Sequence, residues 1–167
     1  MPQPYDICVP VGDGFVNVRV GAIIMKNGRI LMVTNEDVDY FYSVGGRIRL
    51  GESAEDAVRR EVREETGRAL EVERLGFIHE DFFLGDSMAK KGKLIHELGF
   101  YFYMKTPADF EPDPGSLRAE GRGEHLEWVS PDTEKTVFPA FFHSLIRLAL
   151  SAGVTLPNTV YSFTRFS

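Results

Sequence analysis

The stretch SAEDAVRREVREET, residues 53–66, contains no Gly or Pro and is bracketed by Gly51 and Gly67. Ala54, Ala57, Val58 and Val62 recur at helical spacing, which predicts one helix with a single apolar stripe toward a core. Ser53 is a good N-cap with Asp56 three residues on, and Gly67 stands where a C′ glycine ends a helix. At about 100° per residue, Glu61 and Glu65 fall inside that stripe and Glu64 falls on its edge. Carboxylates drawn toward a core are costly unless they are paired or bound to a cation. Three on one arc make an oxygen-rich site suited to hard ions such as Mg²⁺ or Mn²⁺. Their mutual repulsion raises their pKa values when no cation is present. The competing reading is a solvated helix whose acids pair with Arg59, Arg60 and Arg63. The angular placement of the acids favours the metal site.

The rest of the chain surrounds this helix with strands. NVRVGAIIMKNGRILMVTN reads as a hairpin, with Val18 to Met25 going out, Asn27-Gly28 as a type I′ turn and Ile30 to Val33 returning. YFYSV, residues 40–44, is a short strand running into a tight turn at Gly45-Gly46. Further strands are expected around 70–83, in LIHELGFYFYMK and in HLEWVS. GDSMAKKGK is read as a polar loop and TPADFEPDPGSLRAEGRGE as a long exposed one. VFPAFFHSLIRLAL is expected to form an amphipathic helix, and the tail GVTLPNTVYSFTRFS to form an edge strand or a docked arm. Strands in runs, with one helix mid-chain and one near the end, predict an α+β fold with a mixed sheet sandwiched by helices.

At 167 residues the chain is expected to be one domain, 1–167, with a core over about 15–152 and a tail over 153–167. A net charge of −6 argues against a broad grip on nucleic-acid backbone, which needs a basic face. No signal peptide is expected, and the apolar run near the C-terminus is too short to span a bilayer. With Cys8 as the single cysteine, these features point to a soluble protein of the reducing cytoplasm.

Gly46, five residues, Glu52, seven residues, then Arg60-Glu61-Val62-Arg63-Glu64-Glu65-Thr66-Gly67 resembles the Nudix box. The resemblance is sharp over residues 45–67 and looser from about 18 to 150. Val44 stands where the family often has proline, and Arg68 where it usually has an aliphatic residue. The resemblance implies a Nudix-like α/β/α sandwich. It also implies hydrolysis of a nucleoside diphosphate linked to another moiety, with carboxylate-held metal ions neutralising the diphosphate and activating water. By that match Glu61, Glu64 and Glu65 are metal ligands and Arg60 orients one of these acids. Glu52 is a further direct or water-mediated ligand, and the Gly46 backbone also contacts metal. The alternative reading is a catalytically silent nucleotide-binding or regulatory module of the same fold; the chain keeps all the box acids, which disfavours it.

A general base beyond the box is sought in GRGEHLEWVS, where Glu124 is favoured over Glu127. Glu61 or Glu64 is the fallback for that role. Most of the dense aromatics are read as core, and Lys90, Lys91 and Lys93 as either solvated or phosphate-contacting. His79, His96 and His143 are read as structural or surface residues. Glu97 is expected to reach a ligand only if its side of the strand lines the cleft. No subfamily mark selects a substrate among ADP-ribose, sugar-nucleotide or NTP types. The expected partner is therefore a nucleotide-derived small molecule, with no nucleic acid and no membrane. The segment Val160 to Phe166 is also considered as an edge strand for a homodimer.

Overall fold

A computed structural model describes residues 5–85, 87–117, 123–149 and 159–165. Strands β1 (Cys8–Val11) and β2 (Gly14–Ile23) form an antiparallel pair. β2 runs parallel to β8 (Leu94–Lys105), and β8 runs antiparallel to β7 (Glu71–Leu84). β11 (Val160–Arg165) lies parallel to β7 at the sheet edge, and β6 (Gly45–Arg47) is antiparallel to the middle of β2. A second mixed sheet holds β3 (Met25–Lys26), β4 (Arg29–Thr34), β5 (Tyr40–Ser43), β9 (His125–Val129) and β10 (Thr136–Phe138). Helix α1 (Ala54–Thr66) and helix α2 (Phe141–Ala149) complete the α+β architecture.

Alternation along β2 explains how both helices are held. Val20 and Ala22 enter one core cluster with Val58 and Val62 of α1. Ile23 enters another, with Phe142, Leu145 and Ile146 of α2. Two valines of α1 at 0% exposure contribute roughly 1.5–3 kcal/mol each on burial. Ser53 caps α1, its Oγ accepting from Asp56 N–H at 3.1 Å, and Gly67 ends it at φ 71° with its N–H on the Arg63 carbonyl. Among the described residues no helix is long and apolar enough to cross a membrane.

Several sequence expectations change in detail. The Asn27-Gly28 turn forms with both φ values positive, 50° and 72°. The strand paired with β4 across that turn is only the two-residue β3, because at Ile24 the chain leaves one sheet for the other. Gly45 to Arg47, read as a turn and loop, is a strand, and β1 had no sequence signal. The expected helix from Val137 begins instead at Phe141: Val137 and Phe138 belong to β10, parallel to β5. The residue before a proline is pushed out of the helical region, and Pro139 follows directly. Of the tail, Val160–Arg165 forms an edge strand on the chain's own β7; residues 153–158, Phe166 and Ser167 lie outside the described residues.

Replacing Ser53 with Ala removes the acceptor for a first-turn N–H, so Ser53→Ala is expected to cost about 1 kcal/mol in urea denaturation at an unchanged m-value.

Candidate active site

The site is built where α1 passes β6. Residues 45 and 46 are glycines for two separate reasons. Gly45 has φ 144°, and a side chain there would strike the backbone of β2. A Cβ on Gly46 would stand 2.5 Å from Glu61 Oε1. The missing side chains therefore let the helix acids come up against the strand. Glu65 Oε2 accepts from the Gly45 N–H at 3.0 Å. Val58 and Val62 take the fully buried positions, with Glu61 and Glu65 half-buried and Glu64 exposed.

Arg60 organises this cluster. Its Nε and Nη2 donate to the two oxygens of Glu52 at 2.7 and 2.9 Å, and Nη2 also donates to the Arg47 carbonyl at 3.0 Å. Nη1 donates to Glu61 Oε1 at 2.5 Å and to Glu64 Oε2 at 3.2 Å. All five guanidinium N–H groups are thus used. Glu52 also accepts from the Arg49 N–H, and its bond to Arg60 holds its pKa below the ordinary carboxylate value. Glu52 therefore acts here as the anchor of Arg60.

Burial raises the pKa of Glu61 despite Arg60. Burial, with the neighbouring charges of Glu61 and Glu124, pushes Glu65 up to about 8, against its bond from Gly45 and the field of Arg19. Arg19 is a counter-charge that sequence reading missed. Its signal was the alternation of VNVRV, which puts Asn17 and Arg19 on one face of a strand whose other face is core. Tyr42 was missed as well. Its hydroxyl donates to Glu124 Oε1 at 2.7 Å; burial and that bond raise the tyrosine pKa.

Glu124 and Glu127 separate clearly. Glu124 follows Gly123 (φ 68°), and its charge reaches Glu65. Glu127 is exposed and accepts from His125 Nε2 at 2.9 Å. Gly121, the other glycine of that loop, lies outside the described residues. A cavity of about 190 Å³ adjoins Glu124, between Leu126 and the segment Pro112 to Leu117. That segment is tied to α1 by Ser116 Oγ donating to the Glu65 carbonyl at 2.5 Å. The lysine loop sits elsewhere: Lys90 contacts Cys8 Sγ at 2.8 Å and lies over the Phe15 ring. His79 is buried between Ser162 and Thr164, and His96 stacks on Phe82.

Among the described residues no three acidic or imidazole groups converge at ligand distance, since Arg60 engages Glu61 and Glu64. The donor set still fits a hard divalent ion. It is all oxygen, two of its members hold protons more tightly than ordinary carboxyls, and the absent side chain at Gly46 lets the Glu61 carboxylate lie against β6.

Mixed sheets with a helix on each side define an α+β sandwich, and comparison with known proteins says which one. The family model for the NUDIX domain matches residues 16–144. The chain belongs to the Nudix family of hydrolases. A MutT-like protein of Streptomyces ambofaciens is 27% identical over 112 residues, which are 67% of this chain and 62% of that protein. The chain thus spans less than two thirds of the length of this curated relative. A MutT protein structure from Bacillus halodurans aligns with TM-score 0.62 at 20% identity, covering 90% of each chain. An ADP-ribose pyrophosphatase from Streptococcus suis aligns with TM-score 0.54 at 18% identity, covering 89% of this chain and 98% of that one. A UDP-X diphosphatase aligns with TM-score 0.56 at 16% identity, covering 92% and 69%. At these identities the structures establish the shared fold.

Glu65 yields a pH prediction. Its carboxyl holds a proton more tightly in the folded chain than at the ordinary 4.5. The stability it contributes is present below about pH 4.5 and is lost as pH rises through about 8. In chelator-treated protein, Glu65→Gln is expected to flatten the fall in Tm between pH 6 and 9. Thermal unfolding followed by circular dichroism measures this, and a parallel fall in both proteins would remove Glu65 as its source.

Proposed function

We propose that the chain is a divalent-metal-dependent pyrophosphohydrolase that cleaves a nucleoside diphosphate linked to another moiety. The observation that carries this reading is the placement of Glu61, Glu64 and Glu65 on one helix beside the glycine strand β6, with Arg60 holding Glu61 and Glu64 and the Gly45 N–H holding Glu65. Family membership and the named activities of the ADP-ribose and UDP-X cleaving relatives in fold agree with it. With a nucleotide substrate and Cys8 as a free thiol, the protein is assigned to the cytoplasm.

Glu61, Glu64 and Glu65 would hold Mg²⁺ or Mn²⁺, with the Gly46 backbone beside them. Bound there, the ion supplies charge neutralisation of the diphosphate and lowers the pKa of water. The chain's own residues do the rest. Arg60 fixes the directions of Glu61 and Glu64 and is itself held by Glu52. Water attacks phosphorus, the bridging P–O bond breaks, and the leaving phosphate keeps the electron pair. The proton of the attacking water goes to Glu124, whose carboxylate is steadied by the Tyr42 hydroxyl. Glu127 is disfavoured as the base because it is exposed and paired with His125.

Hydrolysis of ADP-ribose, sugar nucleotides, dinucleoside polyphosphates and NTPs is the direct assay. Activity is expected with Mg²⁺ or Mn²⁺ and is expected to disappear on exhaustive chelation. Glu61→Gln and Glu65→Gln should each lower kcat by at least about 10²-fold with folded spectra. Near-wild-type turnover in both would make these acids structural.

For the base, kcat and metal affinity are measured for Glu124→Gln and Glu127→Gln side by side. The expected result is a large loss of kcat in the first and little change in the second. The opposite pattern would exchange their roles, and two inert variants would return the base to Glu61 or Glu64.

A further inference from the structure

The face of the large sheet that packs against α2 carries buried polar chemistry that the hydrolytic step leaves unused. Register places Asn17, Glu97, Asp81 and Thr164 in one row across β2, β8, β7 and β11. The next row holds Arg19, Gly99, His79 and Ser162, and the one after it Gly21, Tyr101, Phe77 and Val160. Side chains within a row share a face. Phe77 and Tyr101 of the last row are covered by α2, where they pack on Phe141.

Asn17 is only 4% exposed. Its Nδ2 donates to Glu97 Oε2 at 3.4 Å; a carboxylate only accepts, so the amide oxygen must point away from it. That Oδ1 is buried and has no hydrogen-bond partner among the described residues, and the same is true of Arg19 Nε. Arg19 Nη1 reaches Glu97 at 3.5 Å, a long contact. Beside Glu97 in the row, the half-buried Asp81 carboxyl has its pKa raised by burial and by Glu97, against the opposing field of His79. An orphaned buried polar atom carries an uncompensated desolvation cost, so two of them beside two carboxyls point to a missing partner.

A cavity of about 210 Å³ opens at Asp81 and is lined by Phe83, Thr164 and the segment Phe138 to Ala140. His79 also lines it, but both ring nitrogens are engaged by Ser162 and Thr164, so it serves as wall. The row is adjacent to the acid cluster: the charges of Glu61 and Glu65 reach Arg19, and Arg19 and Gly21 pair with Arg47 and Gly45.

We propose that Asn17, Glu97 and Asp81, with Arg19 toward the acid cluster, form the recognition site for an uncharged, hydrogen-bond-donating group attached to the diphosphate. The inference rests on the hydrolase reading above. An amide oxygen and two carboxyls accept from neighbouring hydroxyl or amino groups, and the same acids repel an additional phosphate. Such donors come either from sugar hydroxyls or from an amino group on a base. Arg19 is the cation of the set, and the charges of Glu61 and Glu65 act on it.

The test measures KM and kcat separately for wild type, Asp81→Asn and Glu97→Gln. Four substrates are compared: ADP-ribose, its analogue lacking the adenine amino group, an ADP alkyl ester lacking the second sugar, and a plain alkyl diphosphate. Each variant is expected to raise KM for ADP-ribose at least about 10-fold with kcat within about 3-fold, the signature of lost uniform binding. The alkyl diphosphate should show no such penalty. If the penalty vanishes with the deaminated analogue, the donor is the base; if it vanishes with the alkyl ester, the donor is the sugar. An equal penalty on all four substrates, or a fall in kcat at constant KM, overturns the proposal. Should wild type cleave neither these nor the sugar nucleotides, dinucleoside polyphosphates and NTPs with Mg²⁺ or Mn²⁺, the hydrolase reading fails, and saturation-transfer NMR with ADP-ribose then tests the row directly. Transfer that is present in wild type and lost in Asp81→Asn supports the site, and its absence in wild type overturns it. Asp81→Asn is the milder change, so a folding defect confined to Glu97→Gln leaves the test intact.

Discussion

One guanidinium ties a strand, a loop and a helix together at a single point. Arg60 donates to the carbonyl of Arg47 on β6, to Glu52 in the loop before the helix, and to Glu61 and Glu64 on α1 itself. The planar fork presents its five N–H groups in fixed directions, so the strand, the loop and the helix are set at one mutual geometry. A lysine ammonium, with three rotatable donors on a flexible stem, has no equivalent. The acids that would hold a cation thus have defined positions in the chain without one.

That arrangement concentrates negative charge. Glu61 and Glu65 are half-buried, and burial raises the pKa of both. Two features limit the cost. Arg19 supplies positive charge from the neighbouring strand, and the Gly45 N–H bonds Glu65 directly. Arg60 is spread over Glu52, Glu61 and Glu64 and neutralises none of them alone. Under the proposed function, this excess of acids over cations favours a metal-bound diphosphate over a bare one.

The two helices divide the work of the large sheet. α1 covers one face of β2 and β8 and brings its acids around the β6 side. α2 covers the other face at the row of Phe77 and Tyr101 and touches the next row through Phe141 on His79. Beyond Phe77 and Tyr101 the sheet carries Arg19, His79, Asn17, Glu97 and Asp81, an unusual density of polar side chains for a largely buried surface. The proposed catalytic cluster and the proposed recognition row therefore both border β2, with its Val20 and Ala22 toward α1 and its Asn17 and Arg19 on the opposite face.

Much of this was legible in the residues. The helix, its Ser53 and Gly67 ends and the conflict between Val58, Val62 and their neighbouring acids all follow from spacing and local propensity, which act within a few residues. The Asn27-Gly28 turn, the strands around β7, β8 and β9, and the α+β class are local in the same sense. The sheet to which each strand belongs was decided only by tertiary structure. The departure of the chain from its sheet at Ile24, the capture of Val137 and Phe138 by β5 and the parallel docking of β11 on β7 all depend on partners distant in sequence. The same holds for the site. Spacing alone put Glu61, Glu64 and Glu65 on one arc, because one helix carries all three. That Arg19 faces those acids, that Tyr42 holds Glu124, and that Asn17 and Asp81 flank Glu97 required strands separated by dozens of residues to come into register. Register is a property of the packed sheet, and no short stretch of this sequence contains it.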